Sequence, residues 1–556
     1  MSFKKITPSR VDNPRVQTPI LKEHSDIKES IMKNPSRLCG IIVLAILILL
    51  ITPACSNNSI SLSISFTVTF NSAGGSDVDN QTLAEGESAV KPVDPTKPYR
   101  EAAGLFRGPA EYSFAGWYNG DTIWEFNTIV SGDLVLTAHW TAPVPVTLPA
   151  GNLVLEAINY VNDPDNSGVY TLLIAEGYII EPQCLESEGL SLTLMGLGEE
   201  QIIEVSSSGP LFTVEDGVTL VLDNDITLQG MDGNDFPLLM VNGNLIMNEG
   251  AKVTGNILNL GFYECGSGVY VEDGTFTMTG GSICSNYGGG VCISGSEFTM
   301  TGGTIFRNEG VGLFADSYDE GDCLKKGIVT MSGGSISENT VIGTGAGVYL
   351  YGYDMGEGNY STIFTMSGSA KITDNEAGYQ GGGVVICGSK LIMSGNAEIS
   401  GNSAVAEGGG VFINGSAHFS PTELIYRYDG YLEMTGGTIH NNTANKGAGV
   451  YVDGLGKFAM SGSAEISANI AAANGGGVFV YGENTLGYEH TNFLGIFTMS
   501  GGAIYGSNAV PSSLANIAAG GASLYIENGI AQYSGGYGSG NIIASGNYID
   551  NTLPDQ

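Results

Sequence analysis

The chain has 556 residues, 83 of them glycine, and only 14% carry a charge. It is long enough for several domains, but so much glycine with so little charge is foreign to ordinary globular modules and points to a repetitive β architecture. With 57 acidic against 21 basic residues the net charge is −36, which argues against nucleic acid and anionic lipid headgroups as electrostatic partners, because phosphate is bound by clustered Lys and Arg.

Residues 1–31 are polar and unlike an export signal, so they are a polar extension or precede the true start at Met32. From Met32 the layout is that of a secretion signal: Lys33 and Arg37, an apolar run from Gly40 to Ile51, and the small Ala54 just before Cys55. Residues 32–54 resemble a bacterial lipoprotein signal. That resemblance implies acylation of Cys55, a tether over 55–65, and a place in the cell envelope at the outer membrane or cell surface. Thr52 departs from the Leu usual three residues before the cysteine, and Pro53 follows it. A non-lipidated signal or an uncleaved anchor is the alternative, although an apolar run near the roughly 17-residue lower limit barely spans a bilayer.

Residues 66–141 alternate apolar and polar residues between Gly and Pro turns and hold all three tryptophans, Trp117, Trp124 and Trp140. Such a stretch reads as short strands on an aromatic core. The segments VTFNSAGG, KPVDPTKP, FAGWY, FNT and LTAHW resemble the Listeria–Bacteroides repeat of internalin-type surface proteins, which implies a small β-grasp-like module serving as spacer or interaction unit. The extra REAAGLFRGPAE between Tyr99 and Tyr112 departs from the tight connection usual there.

From Leu245 onward one motif returns nine times, among them LIMNEGAKVTGN, FTMTGGSICSN, FTMTGGTIFRN and FTMSGGAIYGSN. Self-similarity of this kind marks a solenoid. Its shortest period, 22 residues from Met278 to Met300, is too short for paired helices and rich in strand formers. The fold expected over 146–550 is therefore all-β, a right-handed parallel β-helix of about twelve coils with three strands and three bends each. Atypical caps are expected at Val146–Gly196 and after Ile526.

Stacked coils align like with like. Met247, Met278, Met300, Met331, Met366, Met393, Met434, Met460 and Met499 then form one inward column, a core feature rather than a thioether metal array. About five residues after most of these methionines an Ile or Val points inward. Asn256, Asn286, Asn308, Asn339, Asn375, Asn402, Asn442 and Asn469 form a buried amide ladder that satisfies backbone groups at one bend. The ladder is expected to end where the last coil slips to Ser507 and Asn508.

A second strand follows a glycine cluster, as in GSGVYV, GGGVCI and GGGVFI, and its middle residue points outward. That column reads Tyr270, Cys292, Phe314, Tyr349, Val385, Phe412, Tyr451, Phe479 and Tyr525. Seven aromatics in nine coils make an exterior strip, self-stacked under loops or open as a platform for glycan rings or a partner protein. Surplus residues follow this strand in the longer coils and gather Tyr318, Tyr353, Tyr360, Tyr426, Tyr428 and Tyr488 along one edge, a composition suited to contact.

The coils resemble pectin-lyase-like β-helices, many of which cleave acidic polysaccharides. GGSI, GGTI and GGAI followed by Asn resemble, more narrowly, the repeats of chlamydial-type polymorphic outer-membrane proteins, which are adhesins. Asp223 and Asp225 in LVLDNDI are the candidate carboxylate pair for a lyase or hydrolase, though an exposed strand edge explains them as well. Six cysteines (Cys184, Cys265, Cys284, Cys292, Cys323, Cys387) allow 15 pairings, none with metal-ligand spacing, and the five histidines are scattered. The expectation is a non-enzymatic, lipid-anchored surface protein with no cofactor, metal or catalytic residue. It would bind a protein or glycan of a host or neighbouring cell; a polysaccharide-acting enzyme is the alternative.

Overall fold

The computed structural model describes residues 64–97, 105–108, 112–141, 148–258, 266–319, 324–353, 359–419, 424–483, 493–533, 537–539 and 542–545. The export segment, Cys55, nearly all of the tether, Cys265, Cys323 and Tyr488 lie outside the described residues. No described helix is long and apolar enough to cross a bilayer.

The chain packs as two units. In one, Ser65–Val68 pairs antiparallel with Gln81–Ala84, and Val130 N–H bonds Glu87 carbonyl at 2.9 Å. The other unit begins with residues 69–79 and 91–125 and takes in everything from residue 135. In its N-terminal part Ser113–Asn119 pairs antiparallel with Leu134–Thr141, from Ser113↔Thr141 to Tyr118↔Thr137. Trp117 is buried there with Phe70 and Phe114 edge-on at 4.9 and 5.6 Å. Trp140 donates its Nε1 proton to Ser72 carbonyl at 2.9 Å.

From Val169 the second unit is a parallel β-helix. Sheet 1 runs from Val169–Ile174 through Thr275–Met278 to Ile530–Tyr533. Sheet 2 runs from Tyr178–Ile180 to Tyr537–Ser539, and sheet 3 from Gln183–Leu185 to Ile542–Ser545. Among the described residues sheet 1 has fourteen strands; Phe106–Arg107, antiparallel to Val169–Ile174, is an addition to the solenoid, leaving thirteen coils where the sequence suggested about twelve. Like stacks on like: Phe276↔Phe298↔Val329↔Phe364 and Met278↔Met300↔Met331↔Met366 are direct neighbours. All these side chains are buried in one core.

From Met278 onward the turn after each methionine of the column comes in two forms. In the Gly-Gly form the second glycine is left-handed, and in Gly303 (φ 80°) a Cβ would stand 2.7 Å from Met278 Cε of the preceding coil. In the Gly-x-Ala form the left-handed residue is the first glycine, Gly368 at φ 59°, and Ala370 is buried instead. The second form is one residue longer. The inward Ile therefore follows Met by five residues in Ile283, Ile305, Ile336, Ile439 and Ile504, but by six in Ile372, Ile399 and Ile466.

The asparagines form a continuous ladder. Asn375 Nδ2 donates to Asn402 Oδ1 (2.9 Å) and Ile336 carbonyl (3.0 Å), while its Oδ1 accepts from Asn339 N and Nδ2, both at 3.0 Å. The ladder does not stop at the last slip: Asn469 Nδ2 reaches Asn516 Oδ1 at 2.9 Å, and Asn234 precedes Asn256 at 2.9 Å. The extra residues after Tyr505 loop out and bring a later asparagine into register.

Two features differ from a three-strand coil. After the Asn bend, Thr340–Val341, Glu376–Ala377, Ser403–Ala404, Thr443–Lys446 and Ile470–Asn474 form a short fourth sheet. Its inward residues Val341, Ala377, Ala404, Ala444 and Ala471 are small and pack together with Ala346 and Ala448. At the N-terminal end, helix α1 (Leu153–Val161) covers the core with Val154, Ala157, Ile158 and Val161, capped by Asn152 Oδ1 accepting from Val154 N at 3.1 Å. Asn162, just past the helix, donates Nδ2 to Cys184 carbonyl (2.7 Å) and accepts from Glu186 N (3.1 Å).

Candidate functional site

Sheet 3 presents two outward columns, because residues two apart on a strand share a face. The first pairs Tyr270↔Cys292↔Phe314↔Tyr349↔Val385↔Phe412↔Tyr451↔Phe479↔Tyr525 in unbroken register. Rings stack at 5.5 Å for Phe314–Tyr349 and Phe412–Tyr451, 4.9 Å for Tyr451–Phe479 and 5.0 Å for Phe479–Tyr525.

This strip is not the open platform the sequence allowed. Val385, Phe412, Tyr451 and Phe479 are only 2, 3, 6 and 0% exposed. The glycine four residues before each folds back over it. In Gly447 (φ +58°) a Cβ would lie 2.8 Å from Tyr451 Cβ, so this position must be glycine. Lys446 lays its ammonium 5.2 Å from the Phe479 ring centre. Only Tyr270, Phe314, Tyr349 and Tyr525 keep partial exposure. Burial pushes the Tyr349 hydroxyl up to about 12, with smaller contributions from Cys387 and Tyr351.

The insertions that follow sheet 3 carry further aromatics, Tyr318, Tyr353 and Tyr428 among them half-buried. Tyr318–Asp319 pairs antiparallel with Leu324–Lys325, Ser416–Phe419 with Leu424–Tyr428, and the end of Val478–Glu483 with Phe493–Leu494. Tyr353 lies edge-on to Tyr351 at 5.7 Å and to Tyr428 at 5.0 Å. Tyr428 belongs to the coil of Val411, two beyond that of Val348, so this contact bridges non-adjacent coils. Tyr360 is buried and stacks on Tyr431 at 6.3 Å. Tyr426 lies opposite His418 in the hairpin backbone.

The second outward column was missed by sequence reasoning. It begins Glu272↔Ser294↔Asp316 and includes Tyr351↔Cys387↔Asn414. Ser294 lies between Glu272 and Asp316 in this column, and Asp316 Oδ1 is buried with no hydrogen-bond partner among the described residues. Burial, reinforced by Glu272, raises the Asp316 pKa even though Ser294 opposes the rise. Tyr270 is pushed up to about 12, first by burial and then by Cys292 and Glu272. Asp273 closes the cluster with a 2.8 Å ion pair to Lys325. Counting two positions on from each strip residue would have found this column.

Asp223 and Asp225, by contrast, do not share a strand face. Both sit in the bend after Thr219–Leu222, with Asp225 left-handed at φ 57°. Among the described residues no three His, Cys, Asp or Glu side chains converge as a metal site. Cys184, Cys284 and Cys387 are free thiols. Basic groups on the coils face carboxylates: Lys252–Glu200 (2.5 Å), Arg307–Glu338 (2.7 Å), Lys371–Glu398 (2.7 Å), Lys390–Glu433 (2.7 Å) and Lys457–Asp429.

Residues 66–139 match the model of the Listeria-Bacteroides repeat domain. No curated protein matches the chain. Among solved structures the chain is similar to the catalytic domain of a GH87 α-1,3-glucanase variant in complex with nigerose. The two share 13% identity at a TM-score of 0.32, over 76% of this chain and 75% of that one.

Proposed function

We propose that the protein is exported, held at the cell envelope through a lipid on Cys55, and acts there as a non-catalytic binding surface. Its insertion edge grips a neutral glycan of a host or neighbouring cell. The observation that carries this reading is the bridge of Tyr353 to Tyr428 at 5.0 Å across non-adjacent coils, which gathers amphipathic rings on one edge. Such rings pack against sugar faces while their hydroxyls stay wet. Neutrality follows from charge: the basic groups of the coils face carboxylates, so a polyanion would meet a negative surface.

Glycan-array binding by the purified protein tests this. Tyr353→Ala and Tyr428→Ala should each weaken binding about tenfold or more, roughly 1.4 kcal/mol. Unchanged binding in both would overturn the edge as the site. Incorporation of a clickable fatty acid, lost in Cys55→Ser, tests the anchor.

One observation favours cleavage as a second reading. Glu272 and Asp316 lie on one face of sheet 3, one strand apart on either side of Ser294, and inverting glycosidases work with two carboxyls flanking one bond. The raised pKa of Asp316 suits a general acid. Release of reducing ends that stops in Asp316→Asn would establish that reading.

A further inference from the structure

Sheet 1 turns its Phe and Met residues inward, so the residues between them face out. Over four successive coils one outward column is Thr277↔Thr299↔Thr330↔Thr365, paired in unbroken register. Two positions further along each strand stand Thr279, Thr301, Ser332 and Ser367. Backbone pairing continues past the strand ends to hold this second column. Thr301, Ser332 and Ser367 each donate N–H to the methionine carbonyl of the preceding coil at 2.9 Å. The hydroxyls therefore stand on a grid set by strand geometry, about 4.7–4.9 Å between coils and about 6.4–6.8 Å along each strand.

The first column is half-buried, and the second is exposed at Thr279, Thr301 and Ser332. Thr279 bonds Asn248 Oδ1 at 2.8 Å. The other side chains of the grid make no hydrogen bond among the described residues, so their hydroxyls turn to solvent, each able to donate once and accept twice. β-Branching leaves the threonines stiff at χ1, and the grid is ordered before anything binds. Charge is scarce on it. Of the twelve outward residues within 275–279, 297–301, 328–332 and 363–367, Glu297 alone is ionised, in a chain with 57 acidic residues. The neighbouring sheet 2, by contrast, carries ion pairs such as Lys371–Glu398.

A face of this kind suits a ligand that is uncharged, periodic and hydrogen-bonding in two directions. Hydrogen bonds of about 2.7–2.8 Å set at the tetrahedral angle place second-neighbour oxygens of ice about 4.5 Å apart, against about 4.8 Å between coils. Over the three intervals of the grid the misfit reaches only about 1 Å, well under one hydrogen-bond length. We propose that this face of sheet 1 binds ice. Its hydroxyls take the places of lattice waters in a crystal plane, and the threonine methyls, which water hydrates at a cost, sit in the gaps. The face is a different surface from the insertion edge, and neither binding requires the other.

The purified full-length protein in dilute buffer is placed around a slowly growing ice seed, and its concentration in the ice is compared with that in the remaining liquid. Grain growth in a thin frozen film is followed in parallel. The protein should be enriched in the ice and should slow grain growth, and Thr330→Lys should do both severalfold less. Thr304→Lys makes the same change on the outer face of sheet 2 and should behave as the unaltered chain, which separates loss of the face from loss of the fold. Unaltered protein left behind in the liquid would overturn the proposal. So would a loss in Thr304→Lys as large as in Thr330→Lys, or capture unchanged in a chain carrying both Thr299→Lys and Thr330→Lys. Retention on an insoluble neutral glucan that depends on Thr330, with no enrichment in ice, would overturn it in favour of a sugar lattice.

Discussion

Six of the eleven described non-glycine residues with left-handed backbone stand beside the ladder asparagines. Ser285, Arg307, Glu338, Asp374, Asn441 and Ala468, each just before a ladder asparagine, are left-handed at φ 52–56°. Such residues cost about 1–3 kcal/mol each and persist only where their surroundings over-determine them. The amide ladder does so by tying each bend to the next. Asn375→Leu would strand Asn339 N–H and Ile336 carbonyl in the interior, at about 1–3 kcal/mol for each group. It should lower the urea midpoint and lift hydrogen-exchange protection at residue 339 first. Asp316 behaves in the opposite sense to an ion-paired carboxylate. Its native pKa is raised, so its contribution is full in acid and is lost as pH rises through the native value. Asp316→Asn should therefore raise the melting temperature at pH 7 and give no such gain at pH 3. The Asn and Met columns were legible because they recur at one repeat position. Asp316 was not, since nothing repeats it and its isolation follows from burial.

At the scale of elements, glycine marks where backbone meets side chain. Gly447 is left-handed under Tyr451, whereas Gly132 has open space around it and an ordinary φ. Gly447→Ala should cost more than about 1 kcal/mol, because alanine is strained at a positive φ, and alter the near-ultraviolet signal of the tyrosine stack; Gly132→Ala should not destabilise and should leave that signal unchanged. At the N-terminal cap, Asn152→Ala should cost about 1 kcal/mol in helix stability, read as faster exchange over Val154 and Leu155. The strands of sheets 1 and 3 could be read from alternation and register. The fourth sheet could not, because its strands, two residues long in Thr340–Val341, Glu376–Ala377 and Ser403–Ala404, are too short to carry a period. Nor could the pairing of Phe106 with Leu172, which joins segments far apart in sequence and has no repeat to announce it.

For the whole molecule, acidity is the constraint the coils must manage. The net charge of −36 is met locally by ion pairs, most of them exposed and individually weak, so mutual repulsion among the remaining carboxylates persists. Raising ionic strength from about 0.01 to 0.15 M shortens the Debye length from about 30 to 8 Å. The melting temperature should rise over that range, and acidic polysaccharides should not bind at its lower end. The stacked architecture was legible as a whole because a 22-residue motif cannot bury its own apolar face and must stack. Function was less so, since burial by neighbouring glycines decides which aromatics of the strip remain accessible, and only the folded chain reveals it.

The most direct test is to follow binding and reducing-end release together on one panel of neutral glycans with the purified protein. Saturable binding that falls in Tyr353→Ala, with no reducing ends released over hours, is what a non-catalytic tyrosine edge requires. Steady release that is abolished in Asp316→Asn while Tyr353→Ala binds normally would contradict it.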